Sequence, residues 1–337
     1  MSFADRLAAA WYAPRLTPLT AALTPMSWLF GAAAAGRRAL YRIGALKSVT
    51  LPVPVVIVGN LTVGGAGKTP LVRALAEALA ARGQRPGIVS RGYAGNHAAP
   101  RAVLPGDDPA HVGDEPLLLA TGAAPVWIGR DRAAAARALL AAHPGCTVII
   151  ADDGLQHYAL GRRVEIAVID AARGFGNGRL LPAGPLREPA SRLTNVDAIV
   201  RLSADGDAGR TQPGDGRETT MTHLPLPWRN LADPAAVANP SHWSQGTVHA
   251  MAGIANPRRF FDLVRTLGID AVAHPFPDHH AFTPADLDWP DATAILMTEK
   301  DAVKCRTFAD PRCWYLPIRA RIDGALVERV LAMIGPR

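Results

Sequence analysis

Short apolar, β-branched runs alternate with helical patterns along much of the chain. The first run, VPVVIVG at residues 53–59, precedes Leu71, Leu75 and Leu79, which recur at helical spacing. A second run, TVIIA at residues 147–151, also has the length and composition of a buried strand. Strands that alternate with helices in this way predict an α/β fold with a mostly parallel sheet and helices on both faces.

The pattern also indicates where the chain divides. Residues 204–220 are polar and rich in turn formers, which is typical of an exposed loop near a domain boundary. From Thr247 the alternation of strand and helix patterns begins again. We therefore predict a helical N-terminal segment over residues 1–46, a main α/β domain over residues 47–222, and a smaller α/β domain over residues 223–337.

The N-terminal segment has no charged residue between Arg15 and Arg37. That length permits a bilayer span, but prolines, threonines and glycines weaken it as a spanning helix. Basic residues flank both ends, so they give no clear orientation. Trp11, Tyr12 and Trp28 are residue types that settle at headgroup depth, and they favour a helix lying on a membrane surface. A transmembrane helix and a buried structural helix are the alternatives.

Composition restricts the partners. The net charge of +7 favours anionic partners such as nucleotides, phospholipid surfaces or phosphorylated substrates. No arginine-rich run interleaved with aromatic residues gives specific support for nucleic-acid binding. The three cysteines are widely spaced and form no C-x-x-C pair, which argues against a disulfide framework or a zinc site and suits a reducing compartment.

A glycine-rich loop, NLTVGGAGKTP at residues 60–70, joins the first strand to its helix. Strand, glycine loop and helix form the context of a phosphate-binding P-loop, in which Lys68 reaches the phosphates and Thr69 ligates Mg²⁺. Thr62 stands where the general pattern has its first glycine, and Val63 replaces the extra lysine of partitioning-type ATPases. The residues expected to contact nucleotide are Asn60, Thr62, Val63, Gly64, Gly65, Ala66, Gly67, Lys68, Thr69 and Pro70.

Two acidic motifs accompany the loop. Asp152 and Asp153 end the second buried strand, at the sheet edge where a carboxylate would hold Mg²⁺ beside a P-loop. The sequence does not separate the two as the direct ligand. Asp114 and Glu115 precede an apolar run and occupy the start of a helix, where carboxylates are favoured by the helix dipole. Asp114 could also serve as a catalytic base.

Taken together, these motifs resemble one family. The segments VGNLTVGGAGKTP, SRGY, GDEP, DDGLQH, LPAGPLREP, FPDHHAF and MTEKDAVKC occur in the order typical of the tetraacyldisaccharide 4'-kinases, from about residue 10 to residue 330. The resemblance implies a P-loop kinase that uses ATP and Mg²⁺ to phosphorylate the 4'-hydroxyl of an acylated glucosamine disaccharide 1-phosphate, giving lipid IVA. It also implies a location on the cytosolic face of the bacterial inner membrane, held by an N-terminal helix.

The resemblance also implies roles for individual residues. Asp114 matches the base on the sugar hydroxyl, His279 in PDHH matches the histidine that supports it, and Lys68 and Arg187 match the other catalytic positions. The implied substrate contacts are Tyr93, Gln156, His157 and Glu188. The implied metal contacts are Thr69, Glu115, Asp152 and Asp153.

His279 lies in the predicted smaller domain, so the resemblance implies an active site in a cleft that closes on substrate. One competing hypothesis is a nucleotide-switched metallochaperone GTPase, which needs an N-K-x-D motif. The nearest segment, Thr298 to Asp301, reads TEKD and lacks the asparagine. Another is a membrane adaptor that binds ATP without chemistry, for which Asp114 and His279 would be dispensable.

Overall fold

A computed structural model describes residues 3–13, 15–92, 99–203 and 216–335 of the chain. Fifteen strands occur in it, at Val55–Gly59 (β1), Pro86–Ser90 (β2), Arg101–Val103 (β3), Val126–Ile128 (β4), Val148–Asp152 (β5), Val164–Asp170 (β6), Ala198–Leu202 (β7), Glu218–Pro225 (β8), Trp228–Asn230 (β9), Val237–Ala238 (β10), Thr247–Ala252 (β11), Val272–Pro275 (β12), Ala292–Thr298 (β13), Cys313–Leu316 (β14) and Ile318–Ile322 (β15).

Ten α-helices occur in the same described residues, at Phe3–Trp11 (α1), Pro18–Ala22 (α2), Thr24–Arg42 (α3), Lys68–Ala80 (α4), Pro109–Val112 (α5), Asp114–Leu119 (α6), Arg132–Ala142 (α7), Pro257–Thr266 (α8), Glu299–Cys305 (α9) and Gly324–Ile334 (α10). Short 3₁₀ turns cover Ala190–Asn195, Pro240–Trp243 and Pro284–Leu287.

The first sheet has nine strands in the order β15-β8-β7-β6-β1-β5-β2-β4-β3. Its neighbouring strands are parallel except at the two edges, where β3 and β15 pair antiparallel with β4 and β8. This sheet confirms the predicted α/β fold with a mostly parallel sheet.

The central strands are buried on both faces. In β1, Val56 and Val58 pack into one apolar cluster together with α4 and α10, whereas Val55 and Ile57 pack into another with α7. Because neighbouring side chains of a strand point to opposite faces, a continuous apolar run is the pattern that such a two-sided sheet requires. The carboxyl ends of β1 and β5 therefore emerge together at one edge of a rigid layer.

The second sheet has six strands in the order β10-β9-β14-β13-β11-β12. Strands β11 to β14 pair in parallel, and β9 pairs antiparallel with β14 and β10. Helix α8 packs on this sheet through Phe260 and Val264, which join an apolar cluster with Trp228 and Trp243.

The first sheet contains strands from both predicted α/β domains. Strand β8 crosses the predicted division between residues 222 and 223, and the chain returns to the first sheet through β15 and α10. Ala320 of β15 and Leu326 of α10 are buried in the same apolar cluster as α4. The division after residue 222 stays a prediction.

The N-terminal helical segment consists of three helices that dock on the first sheet's loops. Trp11 donates from its indole nitrogen to the carbonyl of Pro182 at 2.8 Å. Ser27 is buried; its hydroxyl donates to the Leu180 carbonyl at 2.8 Å and accepts from the Ala183 amide at 3.0 Å. No helix within the described ranges has the length and apolar character needed to cross a membrane.

The segment nevertheless exposes large apolar side chains. Trp28 is 69% exposed and Leu29 is 73% exposed, and Met26, Leu40 and Ile43 are also exposed. These side chains lie on α3 or at its end, next to the basic residues Arg37, Arg38 and Arg42. The membrane association predicted for this segment stays a prediction.

Replacing Ser27 by alanine should test the docking of α3. The change removes the partner of one buried carbonyl and one buried amide, so we expect the free energy of unfolding to fall by about 1–3 kcal/mol. Urea titration followed by tryptophan fluorescence measures it. Ser241→Ala, on the exposed surface, is the control and should change stability by less than about 0.5 kcal/mol. Equal unfolding midpoints for the two variants would contradict the docking.

His223 of β8 gives a second prediction, on pH. Burial and then the nearby Arg259 charge lower the pKa of His223 to about 4 from its usual 6.5. Because the folded state disfavours the protonated ring, stability is full above pH 6.5 and is lost as the pH falls towards 4. Between pH 7.5 and pH 5, urea titration should show about 2 kcal/mol more loss in the unmodified protein than in His223→Gln. Identical pH slopes would contradict the buried neutral ring.

Candidate active site

The glycine-rich loop lies between the carboxyl end of β1 and the start of α4. Gly67 has a φ of +85°, and an added Cβ there would lie 2.7 Å from the Leu202 side chain, so a residue with a side chain does not fit. Helix α4 begins directly at Lys68. The free amides and dipole of this helix end point into the loop, which is the arrangement that attracts a phosphate group.

Lys68 is held at the loop by two polar partners. Its Nζ donates to Asn60 Oδ1 at 3.1 Å and lies 3.4 Å from Asp153 Oδ1. Asn60 in turn donates to Thr62 Oγ1 at 3.2 Å and to the Gly64 carbonyl at 3.3 Å. The buried Asn60 therefore fixes both the lysine and the curvature of the loop.

The other loop residues predicted to contact nucleotide are part of the same turn. Thr62 pairs with Leu186 through a backbone bridge, and the Val63 amide donates to the Pro185 carbonyl at 2.8 Å. The remainder of the set, Gly64, Gly65, Ala66, Thr69 and Pro70, completes the loop and the first turn of α4.

The two aspartates at the end of β5 have opposite environments. Asp152 is 1% exposed, and neither of its carboxylate oxygens has a hydrogen-bond partner among the described residues. Burial, and then repulsion by Glu115, raise the pKa of Asp152 to about 7. Asp153 accepts from Arg187 Nη1 at 2.9 and 3.1 Å. Although burial raises the pKa of Asp153, the charges of Lys68 and Arg187 hold it well below its usual range.

An unpartnered buried carboxylate suits a cation. Mg²⁺ is usually bound by one or two carboxylates together with phosphate oxygens and water. In the described ranges, no three carboxylate, imidazole or thiol side chains converge closely enough to hold a metal by themselves. The donor set around Asp152 therefore fits a magnesium ion that arrives with a nucleotide, and does not resemble a permanent structural metal site.

Asp114 forms the second half of the site. It begins α6, is 6% exposed, and accepts from the Glu115 amide at 2.8 Å and from His279 Nδ1 at 3.0 Å. Although burial raises the pKa of Asp114, the hydrogen bond from His279 and the charge of Lys300 lower it to about 2. The hydrogen bond to Asp114 raises the pKa of His279. Each partner therefore favours the charged form of the other, carboxylate for Asp114 and imidazolium for His279.

His279 comes from the loop after β12 in the second sheet, so both sheets supply the site. Its φ of +61° is unusual for a residue other than glycine, and the loop holds the ring against Asp114. Repulsion between Glu115 and Asp152 reaches across from α6 to β5. The structure thus brings the Asp114–His279 pair close to the phosphate loop and its acidic edge.

A chain of side-chain contacts leads away from Asp153 through Arg187, Gln156 and Glu188. Arg187 Nη1 lies 3.4 Å from Gln156 Oε1, and Gln156 Nε2 donates to Glu188 Oε2 at 3.3 Å. Glu188 is 2% exposed and also accepts from Tyr158 at 2.5 Å. Three of the predicted site residues are thus physically connected to the P-loop lysine.

Two of the predicted substrate contacts, His157 and Tyr93, are not part of this chain of contacts. Burial, and then the charge of Arg132, lower the pKa of His157 to about 4, so the ring is neutral, and its Nε2 has no partner in the described part of the chain. Tyr93 lies outside the described residues.

The structure adds Lys300 of the TEKD segment, which was not predicted as a site residue. Its Nζ lies 3.2 Å from Asp278, 3.3 Å from Glu115 and 3.7 Å from Asp114. The next residue, Asp301, is fully buried and accepts from the Gly253 amide and the Thr298 hydroxyl. The TEKD segment therefore forms the start of α9, and its lysine neutralises carboxylates. A guanine-binding motif would use its residues differently, to contact a base.

Comparison with known proteins extends these observations. A family model described as tetraacyldisaccharide-1-P 4'-kinase matches residues 19–335. The tetraacyldisaccharide 4'-kinase of Azoarcus sp. (strain BH72) is 51% identical over 317 residues, which cover 93% of this chain and 92% of that protein. That of Methylobacillus flagellatus is 48% identical over 335 residues, which cover 99% and 97%.

A solved structure is also similar. The crystal structure described as the "apo" form of LpxK from Aquifex aeolicus in complex with ATP superimposes with a TM-score of 0.76 at 28% sequence identity. The match covers 94% of this chain and all of that one. These matches confirm the resemblance drawn from the motifs: the chain belongs to the tetraacyldisaccharide-1-P 4'-kinase family.

Proposed function

We propose that this protein transfers the γ-phosphate of ATP to the 4'-hydroxyl of a tetraacyldisaccharide 1-phosphate, with Asp114 as the base. Family membership makes the chain an ATP-dependent 4'-kinase of lipid A biosynthesis. The observation that supports the assignment of residues is the buried Asp114–His279 pair beside the phosphate loop.

ATP would bind with its phosphates in the loop Asn60–Gly67, against the start of α4. Lys68 would leave Asn60 and Asp153 for the β- and γ-phosphates, since its present partners lie at the mouth of the same loop. Asp152 would hold Mg²⁺, with Thr69, Glu115 and Asp153 as the other groups near enough to take part. When bound, Mg²⁺ supplies positive charge that offsets the negative charge on the phosphate oxygens.

Asp114 would orient the 4'-hydroxyl and accept its proton. The hydroxyl oxygen forms a bond to the γ-phosphorus, the bond from that phosphorus to the bridging oxygen of ADP breaks, and the hydroxyl proton passes to the Asp114 carboxylate. A carboxylate of low pKa is a weak base, but the loose transition state of phosphoryl transfer needs little proton removal before the new bond forms. His279 would keep Asp114 ionised and fix its rotamer.

The acceptor is a lipid, and the N-terminal segment gives a surface for it. The exposed apolar side chains at Trp28, Leu29 and Ile43 suit insertion at the headgroup boundary, and neighbouring arginines favour anionic lipid. We therefore infer that the protein works on the cytosolic face of the bacterial inner membrane, as a peripheral or monotopic protein.

Asp114→Asn tests the base. The amide cannot accept the proton and no longer forms the ion pair with His279, so we expect kcat to fall by about 10²–10⁴-fold. The ATP dissociation constant should change little, because Asp114 makes no contact in the P-loop. Turnover is measured with the tetraacyldisaccharide 1-phosphate and Mg-ATP in detergent. Asp270→Asn, on the exposed surface, should retain full activity, and a D114N enzyme as active as this control would refute the base assignment.

Asp152→Asn tests the metal site. Loss of the buried carboxylate should raise the Mg²⁺ concentration for half-maximal activity by about tenfold or more, since a charged oxygen ligand is replaced by a neutral one. Binding of ATP in the presence of EDTA, measured by calorimetry, should be unchanged or tighter, because the repulsion between Asp152 and the phosphates is removed. Asp262→Asn, an exposed variant on α8, is the matched control. An unaltered Mg²⁺ dependence in D152N would rule out this ligand.

A further inference from the structure

A basic cavity of about 360 Å³ lies between the end of α3 and the segment that connects β5 to β6. Its charged lining consists of Arg38, Arg42, Arg162, Arg192 and one carboxylate, Glu165, and Ser48 and Asn195 are among its neutral polar residues. We call it the arginine cavity. We propose that the arginine cavity binds the phosphate monoester of the acceptor lipid, an inference that rests on the proposed function and extends it.

The charges of the arginine cavity are not balanced by the protein. Arg162 and Arg192 both pair with Glu165, at 2.9 and 2.5 Å. Arg38 Nη1 lies 3.4 Å from Glu188 Oε1, and Glu188 is not among the residues that line the cavity. Four arginines thus face two carboxylates, and a phosphate monoester at neutral pH carries a charge of about −1.5 to −2.

Arg42 is the lining arginine with the greatest freedom to bind an anion. It is exposed at the end of α3 and has no ion pair or side-chain hydrogen bond to any other described residue. Arginine forms paired hydrogen bonds with phosphate oxygens, which gives both affinity and orientation. Ser48 and Asn195 add neutral donors to the same cavity.

A series of side-chain contacts connects the arginine cavity to the candidate active site. Glu188, which touches Arg38, is bonded to Gln156, and Gln156 meets Arg187 on Asp153. A disaccharide that extends along this chain of contacts would place its phosphate in the arginine cavity and its far hydroxyl near Asp114. The acceptor named for the family, a tetraacyldisaccharide 1-phosphate, carries its phosphate at the end opposite the 4'-hydroxyl.

The walls of the arginine cavity also suit the sugar and acyl parts of that acceptor. The rings of Tyr41 and Tyr158, with centroids 5.9 Å apart, give the cavity an aromatic surface on which a sugar ring can rest. The same helix that lines the cavity, α3, exposes Trp28 and Leu29 and is followed by the exposed Ile43, where acyl chains would stay in contact with the bilayer. The phosphate, sugar and acyl parts therefore each meet a surface of matching chemistry.

The test compares two acceptors, the tetraacyldisaccharide with and without its 1-phosphate, in neutral detergent micelles. In the unmodified protein, we expect a KM at least about tenfold lower for the phosphorylated acceptor, since charge-assisted hydrogen bonds supply that difference. Arg42→Gln should raise the KM for the phosphorylated acceptor by about tenfold and leave both kcat and the KM for the other acceptor unchanged. Arg42→Lys, which keeps the charge but not the paired hydrogen bonds, should restore part of the preference.

The controls separate the proposal from general attraction to anionic surfaces. Arg137→Gln removes an exposed charge on α7, far from the cavity lining, and should leave the preference intact. An Arg42→Gln effect that is equal for both acceptors would overturn the proposal. So would an effect that appears only in vesicles containing phosphatidylglycerol, which would assign the cavity to a phospholipid headgroup. Absence of product from the unmodified protein with either acceptor would overturn the proposed function itself, and this inference with it.

Discussion

The gathering of four carboxylates, those of Asp114, Glu115, Asp152 and Asp153, is the constraint around which the site is arranged, because like charges brought together must be offset. These side chains come from two elements of the first sheet's domain and converge at its edge. Lys68 and Arg187 offset the charge of Asp153, whereas His279 and Lys300 reach over from the second sheet to offset that of Asp114 and Glu115. Asp152 alone is left without a partner among the described residues, and that is where an added cation would complete the balance.

The loop from Asn177 to Pro189 connects the glycine-rich loop of the site to the N-terminal helices. On one side it bonds to the phosphate loop, through the Val63 amide to Pro185 and the Arg187 amide to Leu61. On the other side, the same loop receives Trp11 and Ser27. The position of α3 is therefore linked to that of the glycine-rich loop by a continuous series of hydrogen bonds.

Local patterns were enough to predict the strand–loop–helix around Lys68 and the position of Asp152 and Asp153, since these features depend on residues close in sequence. The return of β15 to the first sheet was not predicted. Which sheet a short strand joins depends on contacts with residues far away in the sequence, here those of β8. Lys300 was missed for a related reason: its role depends on three carboxylates that lie 22 to 186 positions away in the sequence. Its presence in MTEKDAVKC, a motif of the family resemblance, was the available signal. The roles of the predicted site residues, as distinct from their positions, stay proposals.

The path of the chain between the sheets has a mechanical consequence. The polypeptide leaves the first sheet after Pro225 and re-enters it at Ile318, and these two residues are paired in the antiparallel β8–β15 ladder. The second sheet is thus an insertion attached by two tethers that run side by side. Val303 of α9 is also buried in the apolar cluster of the first sheet, so the insertion is packed against that layer as well as tethered to it. Because His279 and Lys300 both belong to the insertion, any displacement of it would move both side chains relative to Asp114 together.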